Sequence, residues 1–212
     1  MAEVIAGIEI PDSRLVSDAT AFVREAEDDL LYHHSRRVFL FAALHGKRLG
    51  LEPDPELLYV GALFHDLGLT PRFANDTRRF EVDSAHVARG FLRDHDVPED
   101  GVARVFLAVA LHTTPNIPEF LEPEVALVTA GVETDVLGFG YEHLDRRLVC
   151  EITDAHPRPN FKTRILAAFT EGNVHRPATT FGNVNADVLE RFSPGFERGN
   201  FVDIIEHSAW PE

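Results

Sequence analysis

The stretch DPELLYVGALFHDLG, residues 54–68, constrains the fold more than any other part of the chain. Asp54 is an N-cap candidate, Pro55 suits the first helical position, and Gly68 suits the position just past the C-cap. Between these signals the helix is apolar nearly all round, so it needs other helices on every side. The apolar run then ends in a histidine and an aspartate, His65 and Asp66. A charged group in such a setting is costly unless something pairs with it.

The rest of the chain supplies the neighbours. Helical patterns run over 17–31 (SDATAFVREAEDDLL) and 33–50 (HHSRRVFLFAALHGKRLG), with Gly50 as a stop. They continue over 82–97, starting at Asp83 or Ser84 as N-cap, and over 98–115, 122–138, 145–157 and 160–172. Residues 175–200 are punctuated by Pro, Gly and Asn, which predicts short helices in an irregular path. No strand series, repeat or low-complexity linker is visible. The expectation is an all-α single domain over 1–212, with a helical-bundle core at about 30–170 and a wrapping segment at about 171–212.

A formal net charge of −15 argues against nucleic acid or an anionic membrane surface as the main partner. The one cysteine, Cys150, excludes an intrachain disulfide framework and, between apolar neighbours, reads as a buried packing residue. The N-terminal residues lack a signal-peptide pattern, and no stretch has the unbroken apolar length of a membrane span, so a cytoplasmic location is expected.

A cation would compensate Asp66 and use the neutral imidazole of His65. Adjacent helix residues point about 100° apart, so both reach one ion only near a helix end or in a tightly packed bundle. Two further ligands are then needed. His34 opens one helix, and Asp135 lies in another that is otherwise apolar around it. Two nitrogens and two carboxylates suit Zn, Fe or a similar divalent transition metal, with positions left for water.

The order His34, His65-Asp66, Asp135 on successive helices resembles the HD superfamily of metal-dependent hydrolases. The blocks HSRRVFLFA, GALFHDLGLT, RRFEVDSAHVARGFL, LAVALHTTPNIPEFLEPEVALVTAGVETDVLG and TTFGNVNADVLERFSPG are similar, in order, to its cyanamide hydratase-like branch. The resemblance covers roughly residues 30–210. It implies an HD-domain bundle with a metal in the core, and His34 rather than its neighbour His33 as ligand through the HSRR register. Two further histidines, His86 and His112, complete the order found in dinuclear HD proteins, which leaves one ion or two open and di-iron oxygenase chemistry as an alternative.

The resemblance implies a hydratase (lyase) or hydrolase of a small molecule. The ion lowers the pKa of bound water, Asp66 takes a proton, His112 gives one to nitrogen, and cyanamide becomes urea. A phosphohydrolase would use the same ligands with a cationic pocket, and Arg36, Arg37, Arg78 and Arg79 are its candidates. In an acidic protein those arginines read first as ion-pair partners. Glu81 and Asp83 follow the His-Asp pair closely enough to orient a ligand from behind. The partner expected is a small-molecule substrate, with homo-oligomerisation left open. The remaining histidines read as ordinary surface or packing residues.

Overall fold

Glu27 and Asp28 divide what reads as one helix over 17–31 into two. The structure, a computed structural model, describes residues 3–210. Helix α1 is Arg14–Ala26 and α2 is Asp29–Leu49. The Asp28 side chain accepts from the Leu31 N–H, so an N-cap replaces helix continuation, and Gly50 closes α2 in the left-handed conformation. A short antiparallel hairpin, β1 (Val4–Ile5) with β2 (Ile8–Glu9), precedes α1.

Helix α3, Pro55–Phe64, is capped by Asp54, which accepts from the N–H groups of Glu56 and Leu57. Every residue from Leu57 to Phe64 is buried. The helix stops before Gly68: His65 is its C-cap, and Asp66 leads into a tight 3-10 turn, Leu67–Leu69. This ending aims two consecutive side chains at one region, which a continuous helix would spread apart.

The neighbours of α3 are α1, α2, α4 (Phe80–Asp94), α5 (Glu99–Leu111) and α6 (Pro123–Leu137). Asp83 is not the N-cap of α4. The helix begins three residues earlier and Asp83 lies buried in its first turn. Gly68 must be glycine because a Cβ there would stand 2.1 Å from the Phe80 carbonyl oxygen. Helices α2 and α6 cross just as closely, since a Cβ on Gly131 would lie 2.4 Å from the Val38 carbonyl oxygen.

Helix α7 is Arg146–Ala155, α8 is Phe161–Asn173, α9 is Asn185–Phe192 and α10 is Phe201–Glu206. Two parts differ from the sequence reading. Helix α1, ahead of the expected core boundary at 30, buries Val16, Ala19 and Val23 in the same cluster as α3. Cys150 is exposed, because α7 is amphipathic and turns Val149 and Ile152 inward instead. No described helix is long and apolar enough to cross a membrane. The chain beyond α8 returns to the bundle through Arg176. Its guanidinium is fully buried and donates to Gly68 O (2.6 Å), Asp83 Oδ2 (2.6 Å) and Gly172 O (2.7 Å).

Candidate metal centre

Two helix ends and one helix face meet around Asp66. His34 comes from the second turn of α2, His65 from the end of α3 and His112 from the C-cap of α5. All four side chains are at most 2% exposed.

Each imidazole has its Nδ1 already committed. His65 Nδ1 faces the Ala62 carbonyl and His112 Nδ1 faces the Val109 carbonyl, both at 2.7 Å. A carbonyl only accepts, so each Nδ1 carries the proton and each Nε2 presents a lone pair. His34 Nδ1 lies 2.7 Å from Asp135 Oδ2, and the same logic leaves its Nε2 as a lone pair. Those three Nε2 atoms converge. His34 Nε2 and His65 Nε2 are 3.1 Å apart. Asp66 Oδ2 is 3.2 Å from His65 Nε2 and 3.6 Å from His34 Nε2, while Oδ1 is 3.5 Å from His112 Nε2.

This is a buried cage made wholly of acceptors. Among the described residues, both Asp66 oxygens and His112 Nε2 lack any hydrogen-bond partner. Lone pairs facing one another repel, and a buried carboxylate without a partner costs several kcal/mol in order of magnitude. A cation answers both problems. A tetrahedral ion with bonds of about 2.1 Å sets its ligand atoms about 3.4 Å apart, close to the separations across this cage. The donor atoms of His34, His65 and Asp66 form a group that could hold a metal ion. Burial pulls the pKa of His65 down, but the Asp66 carboxylate, the Ala62 carbonyl and Asp135 together outweigh it and the net shift is upward. Burial raises Asp66, yet His65 and His112 hold it well below the usual carboxylate range.

Asp135 does not stand beside the other three as expected; it stands behind His34. Its Oδ2 accepts from His34 Nδ1 and from Arg37 (2.8 Å), and its Oδ1 accepts from Arg37 (2.8 Å) and pairs with Arg158 (3.1 Å). Two guanidiniums and an imidazole hold the carboxylate against the penalty of burial, and its pKa is lowered. The physical reason is charge: Arg37 is fully buried and needs a carboxylate opposite it. In this place Asp135 fixes the tautomer and tilt of His34, as carboxylates do behind ligand histidines.

His86 lies away from the cage. It is exposed on α4, next to Arg89 (3.1 Å) and edge-on to Phe106. The two-ion arrangement and the di-iron oxygenase alternative, which need His86 as a ligand, are therefore set aside. The spacing of His86 matched the dinuclear order, but α4 turns that face outward. His33 also points away, with its Nδ1 3.1 Å from that of His156. His156 is pushed down to about 3, first by burial and then by Arg36.

The paired arginines are spent on ion pairs. Arg36 reaches Glu3, Arg37 reaches Asp135, Arg78 reaches Asp83 and Arg79 reaches Glu81. Glu81 is buried, accepts from Thr113 Oγ1 (2.5 Å) and from Asn185 Nδ2 (3.1 Å), and so joins α4, the loop after α5 and α9 just beside His112.

Other parts of the site carried no sequence signal. Arg158 sits in a segment that reads as loop, and Arg176 and Asn185 in one that reads as short helices in an irregular path. Glu27 reads as one more surface acid in REAEDD, yet it is buried with both oxygens unpartnered among the described residues. Burial, followed by the nearby Asp66 charge, pushes its pKa well up.

Beside His112 opens a cavity of about 300 Å³, between α6, α8, α9 and the loop after α5. Among the described residues that line it, Glu133 is the one carboxylate, and its pKa is raised, mainly by burial.

The family model for the HD domain matches residues 31–131, a little under half of the chain. The match contains His34, His65, Asp66 and His112 and ends before Asp135. It supports placing the chain in the HD-domain superfamily, whose members bind divalent metals and are generally metal-dependent hydrolases. No curated protein matches the chain.

Proposed function

We propose, from the HD-domain match and the acceptor cage, that this protein adds water to a carbon–nitrogen multiple bond in a small neutral molecule, with cyanamide as the first substrate to test. The proposed ligands are the Nε2 atoms of His34 and His65 and a carboxylate oxygen of Asp66, with Asp135 as the positioning residue behind His34. Zinc or iron suits this donor set. When bound, the ion supplies Lewis acidity and lowers the pKa of a coordinated water.

The protein's own groups divide the proton work. Asp66, held well below the usual carboxylate range, is a weak base. His112 is placed to accept, because its Nε2 lone pair is free and its Nδ1–H is tied to Val109 O. His112 Nε2 takes a proton from the attacking water and then gives it to the nitrogen that gains electrons as the C–N bond order falls. Oxygen thereby adds to carbon and hydrogen to nitrogen, and a second proton shift yields urea from cyanamide. His112 thus donates only after accepting, which refines the simple donor role expected for it.

One observation carries the choice of a neutral carbon electrophile over a phosphate ester. Among the described residues, the arginines around the cage are all paired with carboxylates, Arg158 with Asp135 and Arg176 with Asp83 included, and the adjoining cavity offers a carboxyl group, Glu133, rather than a cation. A phosphate dianion would enter it without a counter-charge.

The test is to purify the protein, measure metal per chain, and compare urea release from cyanamide with phosphate release from nucleoside monophosphates under metal-replete conditions. Urea release that disappears in Asp66→Ala and falls strongly in His112→Ala is expected. Efficient phosphate release without urea would overturn the reading in favour of a phosphohydrolase.

A further inference from the structure

The cavity beside His112 is far larger than cyanamide needs, and its chemistry is wrong for so polar a molecule. Its walls are Val132 and Val136 from α6, Ile165, Leu166 and Phe169 from α8, and Val188 from α9. Leu137 and Phe139, at 58% and 61% exposed, stand among the lining residues on the solvent side. Polar side chains are confined to His112, Thr113 and Glu133 among the described residues. Thr113 is already tied to Glu81 and Arg79.

The volume of about 300 Å³ corresponds to roughly ten waters at about 30 Å³ each, and an apolar cavity of about 150 Å³ already holds benzene. Cyanamide has three heavy atoms. It would leave most of this wall facing water, and exposed aliphatic surface opposite a polar ligand gains nothing from binding it. A cavity whose one reactive corner is His112 and whose remaining wall is aliphatic and aromatic is built for a molecule with a reactive end and an apolar body.

Resting on the hydration reading above, we propose that the substrate class is an organic cyanamide or nitrile bearing an apolar group up to about the size of a benzyl. The C–N multiple bond lies at His112 and the cage, and the apolar group lies between α6 and α8. The apolar residues at the solvent side give such a group a continuous apolar path inward. Glu133 excludes substituents with an anionic tail and leaves neutral ones unaffected.

The experiment uses the full chain, zinc-loaded, and a homologous series: cyanamide, N-ethyl-, N-butyl- and N-benzylcyanamide. Binding is measured by calorimetry and turnover by release of the corresponding urea. Each added methylene should tighten binding about threefold to fourfold until the cavity is filled. Val136→Trp should erase that rise, read as the ratio of N-benzylcyanamide to cyanamide affinity. Leu166→Asp, at a position 39% exposed and therefore tolerant of the change in folding, should flatten the same series.

Equal affinity for cyanamide and N-benzylcyanamide, or an unchanged series in both variants, would overturn the apolar substrate class. A rising series without release of any urea would leave that class standing and overturn the hydration reading. Urea release from cyanamide with a flat series would do the reverse.

Discussion

Asp135 shows how a carboxylate's neighbours decide its work. It lies 2.7 Å from His34 Nδ1 and faces the buried Arg37 and the half-buried Arg158. Asp135→Asn keeps the shape but removes the charge that all three neighbours need. Arg37 retains only the carbonyls of His156 and Pro157 as strong acceptors. The expected result is a loss of about 3 kcal/mol of stability, the scale for breaking one side of a buried ion pair. Metal affinity should fall by roughly 10-fold to 100-fold, the scale for groups behind a ligand. Asp66→Asn should behave differently, losing the ion while sparing the stability of the metal-free protein. Chelator competition and chemical denaturation, run on both variants, separate the two roles. An Asp135→Asn protein that binds metal normally would contradict the positioning role.

At the scale of elements, the site depends on how closely α2 and α6 approach, because α2 carries His34 and α6 carries Asp135. That approach rests on Gly131, where a Cβ would meet the Val38 carbonyl at 2.4 Å and the Ala42 Cβ at 3.2 Å. Gly131→Ala should therefore destabilise by about 2 kcal/mol or more, as overpacking does. The melting temperature should fall by roughly 5 °C. Gly90 is the matched control. It lies in the interior of α4, and a Cβ added there would meet nothing within 4 Å. Gly90→Ala should stabilise by about 0.5–1 kcal/mol through helix propensity alone. Thermal melts of the pair should move in opposite directions, and a common direction would show that the α2–α6 crossing does not limit packing.

For the whole molecule, the cage ties together α2, α3 and α5, while Arg176 ties the later chain to the turn beside it. An ion bound only by the folded state stabilises it by about 4 kcal/mol at a thousand times its Kd. Chelation should thus lower the melting temperature of the native protein, and added Zn or Fe should restore it. Asp66→Ala should melt at one temperature with or without chelator. A native protein indifferent to chelator would mean that the cage holds no ion in the folded state.

The sequence by itself determined the helical class, the central place of α3, and the need of His65 and Asp66 for a compensating partner, while His34 as that partner was what the HD resemblance implied. These follow from short-range causes: caps such as Asp54, an apolar pattern all round one helix, and a His-Asp pair that has to be compensated once buried. Tertiary structure alone decided the rest. His86 and His112 both fit the dinuclear order along the chain, but the packing of α4 and α5 sends one to solvent and the other to the cage. Asp135 reads as a ligand until Arg37 and Arg158 claim its oxygens. Glu27 and Arg176 gain their meaning only from the long-range surroundings of a folded core. A charged side chain's role is set by the partners within a few ångströms of it, and partners far away along the chain leave no mark on local sequence pattern.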